Sequence, residues 1–358
     1  MSAFVTAISG CGAKAPACFL VESGGARLLL DLGYGPQPGL WPDVSSVGTV
    51  DALLISHSHN DHAGGLKLLP QIGNPGLYAT DIVHRLLPQG SDVTTLPLHG
   101  TIEVCGIRVT TGRNGHAPGG VWLHLEIAGG LLYMGDYSVD SLLYAYDPPP
   151  PAATVVLDAS YGVYDTLRAE ALRAFERVFD DAPVLMPVPA AGRGPEIALH
   201  LLRSRGVHAH IDDAVRAAAG HLADESGGSV HPHVRADLLA LAQNAPAIEG
   251  AEGVMLAASA DGTSGDAARL IESWEAAGPD IVFTGYVPPG TPAQRLTAAR
   301  RARYVRWPVH PRLSDNVRLV RDTGARAVLP AFGDARHSSG WQDAFFPARV
   351  ILNGPVAL

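Results

Sequence analysis

The fold of this chain is decided by one stretch of sequence, Leu53-Leu54-Ile55-Ser56-His57-Ser58-His59-Asn60-Asp61-His62-Ala63-Gly64-Gly65-Leu66. Its opening residues continue a short apolar run from Val50, which predicts a buried strand. The polar residues then lie on the loop at the carboxyl end of that strand, and a helix is predicted from Ala63 to Leu69. The order His-x-His-x-Asp-His therefore places four metal-binding side chains within six residues of one loop.

The spacing of these four side chains divides them into two pairs. Alternate residues of an extended segment point the same way, so His57 and His59 can reach one ion. Asp61 and His62 stand where the chain turns and can reach a second ion nearby. Imidazole and carboxylate together suit Zn²⁺ or Mn²⁺ in an open, catalytic site. The competing interpretation is a polar loop that is rich in histidine by chance, and the strand context and the distant partners described below argue against it.

Composition limits the classes of protein to consider. A length of 358 residues predicts two domains, and 47% apolar residues are enough for a packed core. The net charge of −9 provides no global field that attracts nucleic acid. Three cysteines without CxxC spacing predict a reducing, cytoplasmic setting. No apolar run approaches the ~20 residues that span a bilayer, so we expect no membrane partner.

Three apolar runs end in an aspartate, at Asp31, Asp136 and Asp158. A carboxylate at the end of a buried strand is costly unless another group pairs with it. Strand ends that carry carboxylates and imidazoles therefore predict one site built from several loops, with His116 on a glycine-rich loop as a further member. Asp31 is expected to bind a backbone or histidine group beside the metal ligands, and a turn-forming aspartate is the alternative.

The pattern changes between Tyr161 and Tyr304. Helical periodicity alternates there with short β-rich pieces, which predicts a parallel sheet with helices on its faces. We therefore expect an α/β domain inserted into the metal-binding one, with boundaries at 1–162, 163–304 and 305–358. Two further strands, Tyr304 to Trp307 and Ala327 to Leu329, precede a final segment that reads as polar.

Four motifs in a fixed order support a family resemblance. They are Leu-Leu-Leu-Asp31-Leu-Gly, His57-Ser-His59-Asn-Asp61-His62, Gly-His116-Ala-Pro-Gly and Met-Gly-Asp136-Tyr-Ser. In these motifs the chain resembles the metallo-β-lactamase-fold hydrolases, and specifically their β-CASP nuclease branch. That branch includes bacterial ribonuclease J, the cleaving subunit of the mRNA 3′-end complex and Artemis-type DNA nucleases. The resemblance implies an α/β fold, namely an αββα sandwich with an inserted α/β β-CASP-like domain.

Weaker motifs carry the β-CASP part of the resemblance. Segments 157–162, 192–196 and 283–291 are similar to its acidic, Gly-Arg and Thr-Gly-Tyr motifs, and His310 stands where a motif histidine is expected. The chain departs from the branch at Phe332, where RNA-processing members have a histidine that ligates the second metal. This replacement weakens the second site, shifts its metal preference or passes the role to His337. DNA-directed members also lack that histidine, so the substrate stays open between RNA and DNA.

The resemblance implies a role for each site residue. Metal one is held by His57, His59 and His116, metal two by Asp61 and His62, and Asp136 bridges both. Two divalent ions, with Zn²⁺ preferred over Mn²⁺, lower the pKa of a shared water towards ~7 and so provide hydroxide.

Further residues complete this expected chemistry. Asp61 also orients the nucleophile, and Asp158 paired with His310 protonates the leaving oxygen. The alternative for His310 is a surface histidine between two prolines.

Two other features need an interpretation. The segment 207–213 imitates the metal motif, but we interpret it as a strand followed by a helix N-cap. Between Arg295 and Arg326 there are nine arginines and two aspartates. These arginines either position phosphates or form a solvated helix face, and the sequence leaves both readings open.

The sequence thus predicts a two-metal phosphodiester hydrolase that acts on RNA, with single-stranded DNA as the second substrate. A small-molecule hydrolase of the same fold, cleaving an ester, lactone or phosphodiester, is the first alternative. A non-catalytic scaffold is the second, and the six intact ligand positions argue against it.

Overall fold

The computed structural model describes residues 2–88, 90, 92–225, 227–274 and 278–358. The chain divides into two units. The first runs to Asp165 and resumes at His310, and the second is Thr166–Val309. The second unit ends later than the predicted position 304 because Trp307 belongs to its core, where its indole packs 4.9 Å from the ring of Phe175. The predicted boundaries remain a proposal for independently folding domains.

The strands of the described chain are β1 Ala3–Ser9, β2 Cys18–Ser23, β3 Ala26–Leu30, β4 Ala52–Leu54, β5 Gly76–Ala79, β6 Val93–Thr95, β7 Gly100–Val104, β8 Ile107–Arg113, β9 Val121–Leu125, β10 Leu131–Tyr133, β11 Thr154–Asp158, β12 Val184–Pro187, β13 His210–Ile211, β14 Val254–Ala257, β15 Asp280–Phe283, β16 Arg303–Tyr304, β17 Ala327–Ala331, β18 Arg349–Val350 and β19 Pro355–Ala357. The α-helices are α1 Asn60–Ala63, α2 Asp81–Leu86, α3 Arg168–Asp180, α4 Arg193–Arg205, α5 Asp213–Asp224, α6 Arg235–Asn244, α7 Gly265–Trp274, α8 Pro292–Ala298, α9 Leu313–Thr323 and α10 Ser338–Phe345. Short 3₁₀ helices occupy Leu66–Ile72, Pro232–Val234 and Ala335–His337. No described helix is long and apolar enough to cross a membrane.

The first unit is a sandwich of two sheets. One sheet has the strand order β19-β1-β2-β3-β4-β5-β6 and the other has β18-β17-β11-β10-β9-β8-β7. Their facing surfaces share one core, in which the rings of Phe19 and Tyr133 lie 5.4 Å apart. A second core joins the outer face of the first sheet to α2, and a third joins the outer face of the second sheet to α9 and α10. The layers are therefore helix, sheet, sheet and helix, as the resemblance implied.

The second unit is built on a parallel sheet. Its strand order is β13-β14-β12-β15-β16, and each neighbouring pair is parallel. The βαβ prediction for this region is confirmed. In segment 207–213, whose sequence is similar to the metal motif, only His210–Ile211 form a strand, β13. Asp212 then caps α5 by accepting a hydrogen bond from the Val215 backbone N–H at 2.8 Å. The interpretation of that segment as a strand and a helix N-cap is also confirmed.

Two local predictions are wrong. The helix predicted from Ala63 to Leu69 instead begins at Asn60, ends at Ala63 and gives way to a 3₁₀ helix. It stops there because Gly65 turns to donate its backbone N–H to the carbonyl of Leu32 at 2.7 Å. The final segment is also not merely polar, since α10 buries Trp341 completely.

A glycine brings the metal-motif loop against the first sheet. A Cβ placed on Gly33 would lie 1.9 Å from the backbone oxygen of Asp61. The same oxygen accepts a hydrogen bond from the Ala17 backbone N–H at 2.8 Å. Because glycine has no side chain, the loop can approach the strand ends closely enough to bring its ligands to the other loops of the site.

We predict that Gly33→Ala lowers the free energy of unfolding by about 3 kcal/mol, the upper range for overpacking, because the loop must move to admit a methyl group. Urea unfolding of the variant and the parent measures this change. Gly250→Ala is the control, since a Cβ at Gly250 meets nothing within 4 Å. Equal unfolding midpoints for the two variants would contradict the prediction.

Candidate metal centre

Most of the candidate site residues follow the carboxyl ends of neighbouring parallel strands, whereas His116 lies on the loop between the antiparallel strands β8 and β9. In the first sheet β3 and β4 are parallel, with Leu30 opposite Leu54, so Asp31 and the metal-motif loop follow at the same edge. In the second sheet β10 and β11 are parallel, and Asp136 and Asp158 follow in the same way. The predicted convergence of several loops on one site is therefore what the fold produces.

Asp31 is the anchor of this edge. It is fully buried, with φ at +57°, and its carboxylate receives four hydrogen bonds. The Ser56 backbone N–H and hydroxyl donate at 2.6 Å each, the Tyr133 hydroxyl at 2.6 Å and His62 Nδ1 at 2.7 Å. The expected backbone and histidine partners of Asp31 are present, and Tyr133 is a partner that the sequence did not reveal.

The Asp31 network also fixes the tautomer of His57. The single hydroxyl proton of Ser56 goes to Asp31, so the Ser56 oxygen can only accept from His57 Nδ1, 3.1 Å away. His57 Nδ1 therefore carries the proton, and Nε2 keeps a free electron pair. A ring nitrogen held in this way is prepared to ligate a metal.

Three imidazole nitrogens meet at one point. His57 Nε2 lies 3.0 Å from His59 Nδ1, which lies 3.2 Å from His116 Nε2. Nitrogens bound to one tetrahedral zinc at about 2.0–2.1 Å stand roughly 3.3 Å apart, so the observed spacing fits a single ion. Asp136 completes this set, with Oδ2 3.5 Å from His116 Nε2. The first donor set is thus three imidazoles and a carboxylate.

A second donor set adjoins the first through Asp136. Its members are Asp61, His62 and Asp136, whose ligand atoms lie within 4.8 Å of one another. His62 Nε2 and Asp136 Oδ1 are 3.3 Å apart, and both are buried without a hydrogen-bond partner. Buried polar atoms left in this state are expected where a further group binds. Asp136 faces one set with each oxygen and so lies where the sequence placed a bridging ligand.

Lys14 contacts this second set, and the sequence did not predict this contact. Its Nζ lies 3.2 Å from Asp61 Oδ2, and only 17% of its side chain is exposed. The ammonium also stands 5.3 Å from the ring centre of Phe332. The sequence held one signal for it, since Lys14 and Lys67 are the only two lysines of the chain.

Phe332 stands where the resemblance implies a metal-binding histidine. It follows β17, is buried and has φ at +62°. Its backbone N–H donates to the carbonyl of Gly10 at 2.6 Å, and its ring packs 4.9 Å from that of His62. His337, the candidate replacement, packs beside Trp341 at 5.9 Å. It belongs to none of the metal-binding groups formed by the described residues.

The predicted acid pair is present. His310 Nδ1 donates to Asp158 Oδ2 at 2.7 Å and lies 3.8 Å from Asp136 Oδ2. Its ring is 4.8 Å from that of His116. His310 therefore stands beside the first donor set and is not the isolated loop histidine of the alternative interpretation.

Burial and charge shift the ionisation of these groups. Burial, with the nearby charges of other histidines, lowers the pKa of His57 well below its ordinary value, and burial lowers the pKa of His59 to about 4. Burial raises the pKa of Asp61, but Lys14 and His62 outweigh it and bring that pKa to about 2. Burial likewise opposes the charge of Lys14, yet the carboxylates of Asp61 and Asp136 raise its pKa above the ordinary value. Burial opposes the charge of His62, yet the carboxylates of Asp136 and Asp31 raise its pKa well above the ordinary value. The metal-free site thus combines neutral His57 and His59 with a charged His62 and ionised carboxylates.

The arginines of 295–326 are partly engaged by carboxylates. Arg303 pairs with Asp181 at 3.0 Å and with Asp280, Arg312 with Asp315 at 2.8 Å and Arg321 with Asp322 at 2.8 Å. These three guanidinium groups therefore have protein partners, which favours the interpretation of the run as structural and solvated charge.

Residues 11–185 match the model of the metallo-beta-lactamase superfamily. The chain contains a metallo-beta-lactamase domain. This match covers the candidate ligands from Asp31 to Asp136, and it agrees with the αββα sandwich of the first unit. The resemblance and fold class predicted from the sequence are confirmed.

The relatives of this chain include endoribonucleases and transcription termination factors. Endoribonuclease YSH1 of Kluyveromyces lactis is 30% identical over 236 residues, covering 51% of this chain and 31% of the relative. The Saccharomyces cerevisiae protein of that name is 29% identical over 237 residues, covering 51% and 30%. Transcription termination factor FttA of Methanosarcina mazei is 26% identical over 250 residues, covering 56% and 39%. The chain spans about a third of the length of these curated relatives.

A solved structure shares the fold along the whole chain. It is a protein of unknown function from Enterococcus faecalis V583, with a TM-score of 0.61, 13% sequence identity and full coverage of both chains. At this identity the likeness concerns the fold alone, and it includes the second unit as well as the metallo-beta-lactamase domain.

We predict that Tyr133→Phe costs about 2 kcal/mol of unfolding free energy, because the Asp31 carboxylate loses a charge-assisted hydrogen bond. Tyr137→Phe is the matched control, since its buried hydroxyl donates to a neutral acceptor, Asn316 Oδ1, at 2.8 Å. That loss is expected to cost about 1 kcal/mol. Chemical denaturation compares the two, and an equal or smaller loss in Tyr133→Phe would show that Asp31 does not depend on the tyrosine.

We predict that His59 of the metal-free protein titrates near pH 4, well below its ordinary 6.5. The unfolded chain then binds an additional proton between these values, so the contribution of His59 to stability is present above pH 6.5 and is lost as the pH falls towards 4. Imidazole NMR shifts measured after chelator treatment follow this titration. A midpoint at 6 or above for His59 would contradict the dominant effect of its burial.

Proposed function

We propose that this chain is a metal-dependent phosphodiester hydrolase that acts on RNA, with single-stranded DNA as a second substrate. The observation that supports this proposal is the convergence of three imidazole nitrogens and the Asp136 carboxylate beside the Asp158–His310 pair. A ligand set next to a proton-carrying pair is what hydrolysis with a poor leaving group requires. The names of the relatives, endoribonuclease and transcription termination factor, support RNA as the substrate.

We propose Zn²⁺ as the ion of the first donor set, with Mn²⁺ as the alternative, because three imidazoles and one carboxylate suit both. A bound ion of this kind polarises a phosphoryl oxygen and lowers the pKa of water near it. The second ion predicted from the sequence has a poorer donor set, since only Asp61, His62 and the shared Asp136 face it.

The protein groups divide the remaining work. Asp61, ionised at neutral pH, orients the attacking water by accepting its hydrogen bond. His310 holds a proton close to the first donor set, and Asp158 fixes the ring by accepting from Nδ1. His310 then delivers a proton to the leaving oxygen. The Ser160 backbone N–H donates to the Asp158 carboxylate at 2.9 Å, and Asn316 Nδ2 donates to the Asp158 backbone carbonyl at 2.9 Å, so Asp158 is itself held in place.

The proposal is tested with purified protein, end-labelled single-stranded RNA and DNA of one sequence, and Zn²⁺ or Mn²⁺. We expect cleavage of RNA that is lost in Asp61→Ala, and loss of both cleavage and bound metal in His116→Ala. Stoichiometric metal without cleavage of either nucleic acid would contradict the nuclease. It would favour the small-molecule hydrolase, for which the net charge of −9 is the supporting observation. Absence of bound metal would favour the scaffold.

We predict that His310→Ala lowers the cleavage rate by roughly 10²–10⁴-fold without changing the metal content, because the leaving oxygen loses its proton donor. A phosphodiester with a p-nitrophenolate leaving group needs no such proton, so its hydrolysis should fall far less. His233→Ala, a histidine of the second unit, is the control and should behave as the parent. Equal losses on both substrates would rule out the acid role of His310.

A further inference from the structure

The two donor sets of the site are not equivalent. The first has four protein donors, three of them imidazole nitrogens at 3.0–3.2 Å spacing. The second consists of Asp61, His62 and Asp136, and one of these is shared with the first. A divalent ion held there would rely on two donors of its own.

A protein cation already lies in the second set. Lys14 Nζ is 3.2 Å from Asp61 Oδ2 and interacts electrostatically with the Asp136 and Asp158 carboxylates. A divalent ion ligated by Asp61 would lie within a few ångströms of this ammonium. Like charges at that separation repel strongly in a site that water scarcely reaches.

An apolar ring adjoins the second set. Phe332 packs its ring 4.9 Å from His62 and beneath the Lys14 ammonium at 5.3 Å. A phenyl ring offers no electron pair to a hard divalent ion, but its face attracts an ammonium. Phenylalanine in place of histidine at position 332 thus removes a metal ligand and supplies an aromatic partner for the Lys14 ammonium.

We propose that the Lys14 ammonium takes the place of a second metal ion, so that this chain holds one divalent ion per molecule. The inference rests on the first donor set of the proposed function. Lys14 would supply a fixed positive charge that keeps Asp61 ionised and attracts a phosphate oxygen. It needs no coordination geometry to do so. In this respect Lys14 is a positioning residue of the centre.

The test counts metal ions. The chain of 358 residues and its variants are loaded with excess Mn²⁺, desalted, and measured by mass spectrometry and electron paramagnetic resonance. We expect one ion and an uncoupled spectrum for the parent. The Lys14→Met/Phe332→His double variant should hold two ions that give a spin-coupled spectrum, because the charge is removed and a nitrogen ligand is restored. Histidine also adopts the left-handed backbone of position 332 more readily than most residues.

Two further variants keep the test decisive. In calorimetric titrations with Mn²⁺, Lys14→Met alone should bind a second ion at least tenfold more tightly than the parent does. Lys14→Arg, which keeps the charge, should still hold one ion. Lys67→Met is the matched control, because Lys67 lies over the ring of Trp41 at 3.6 Å and is the only other lysine. Two ions in the parent would overturn the inference. So would an unchanged count in a folded double variant together with unchanged affinity in Lys14→Met.

The ion count separates this inference from the proposed nuclease function. If the variants change the count as expected but no nucleic acid is cleaved, the nuclease proposal fails and the role of Lys14 stands. If RNA is cleaved while the parent holds two ions, the role of Lys14 fails and the nuclease proposal stands.

Discussion

The centre depends on the buried carboxylate of Asp31 and on the donors that neutralise it. Four hydrogen bonds reach this one side chain, from Ser56, Tyr133 and His62. They compensate for the cost of burying a charge and of a left-handed backbone at a non-glycine residue. Through Ser56 the network sets the proton of His57, and through His62 it orients the second donor set. One charge therefore connects the ends of strands in both sheets to the two halves of the metal motif.

Much of the fold and of the first donor set was predictable because both follow from local sequence. Apolar runs that end in Asp31, Asp136 and Asp158 are short-range signals, and parallel strands bring their carboxyl ends to one edge. The family resemblance carried by the order of the motifs then implied an αββα sandwich. The ligands His57, His59 and His116 could be proposed in the same way, since their spacing and loop context are visible in the sequence.

The rest depended on contacts between residues far apart in the chain. Tyr133 reads as an ordinary apolar strand residue, and only the packing of the two sheets brings its hydroxyl to Asp31. Lys14 lies in a glycine-rich turn with no periodic pattern around it, so nothing local marked it as part of the centre. The early end of α1 at Ala63 was missed because it depends on the bond from the Gly65 backbone N–H to the carbonyl of Leu32, which is distant in the sequence.

The hydrogen bonds around Asp31 have a consequence for how the ligands of the centre are brought together. The Asp31 carboxylate receives its hydrogen bonds from Ser56, Tyr133 and His62, and Lys14 offsets the charge of Asp61. The conformational entropy of assembling the ligands is thus lost during folding and not during metal binding. A divalent ion would then bind to ligands that the fold already holds in place.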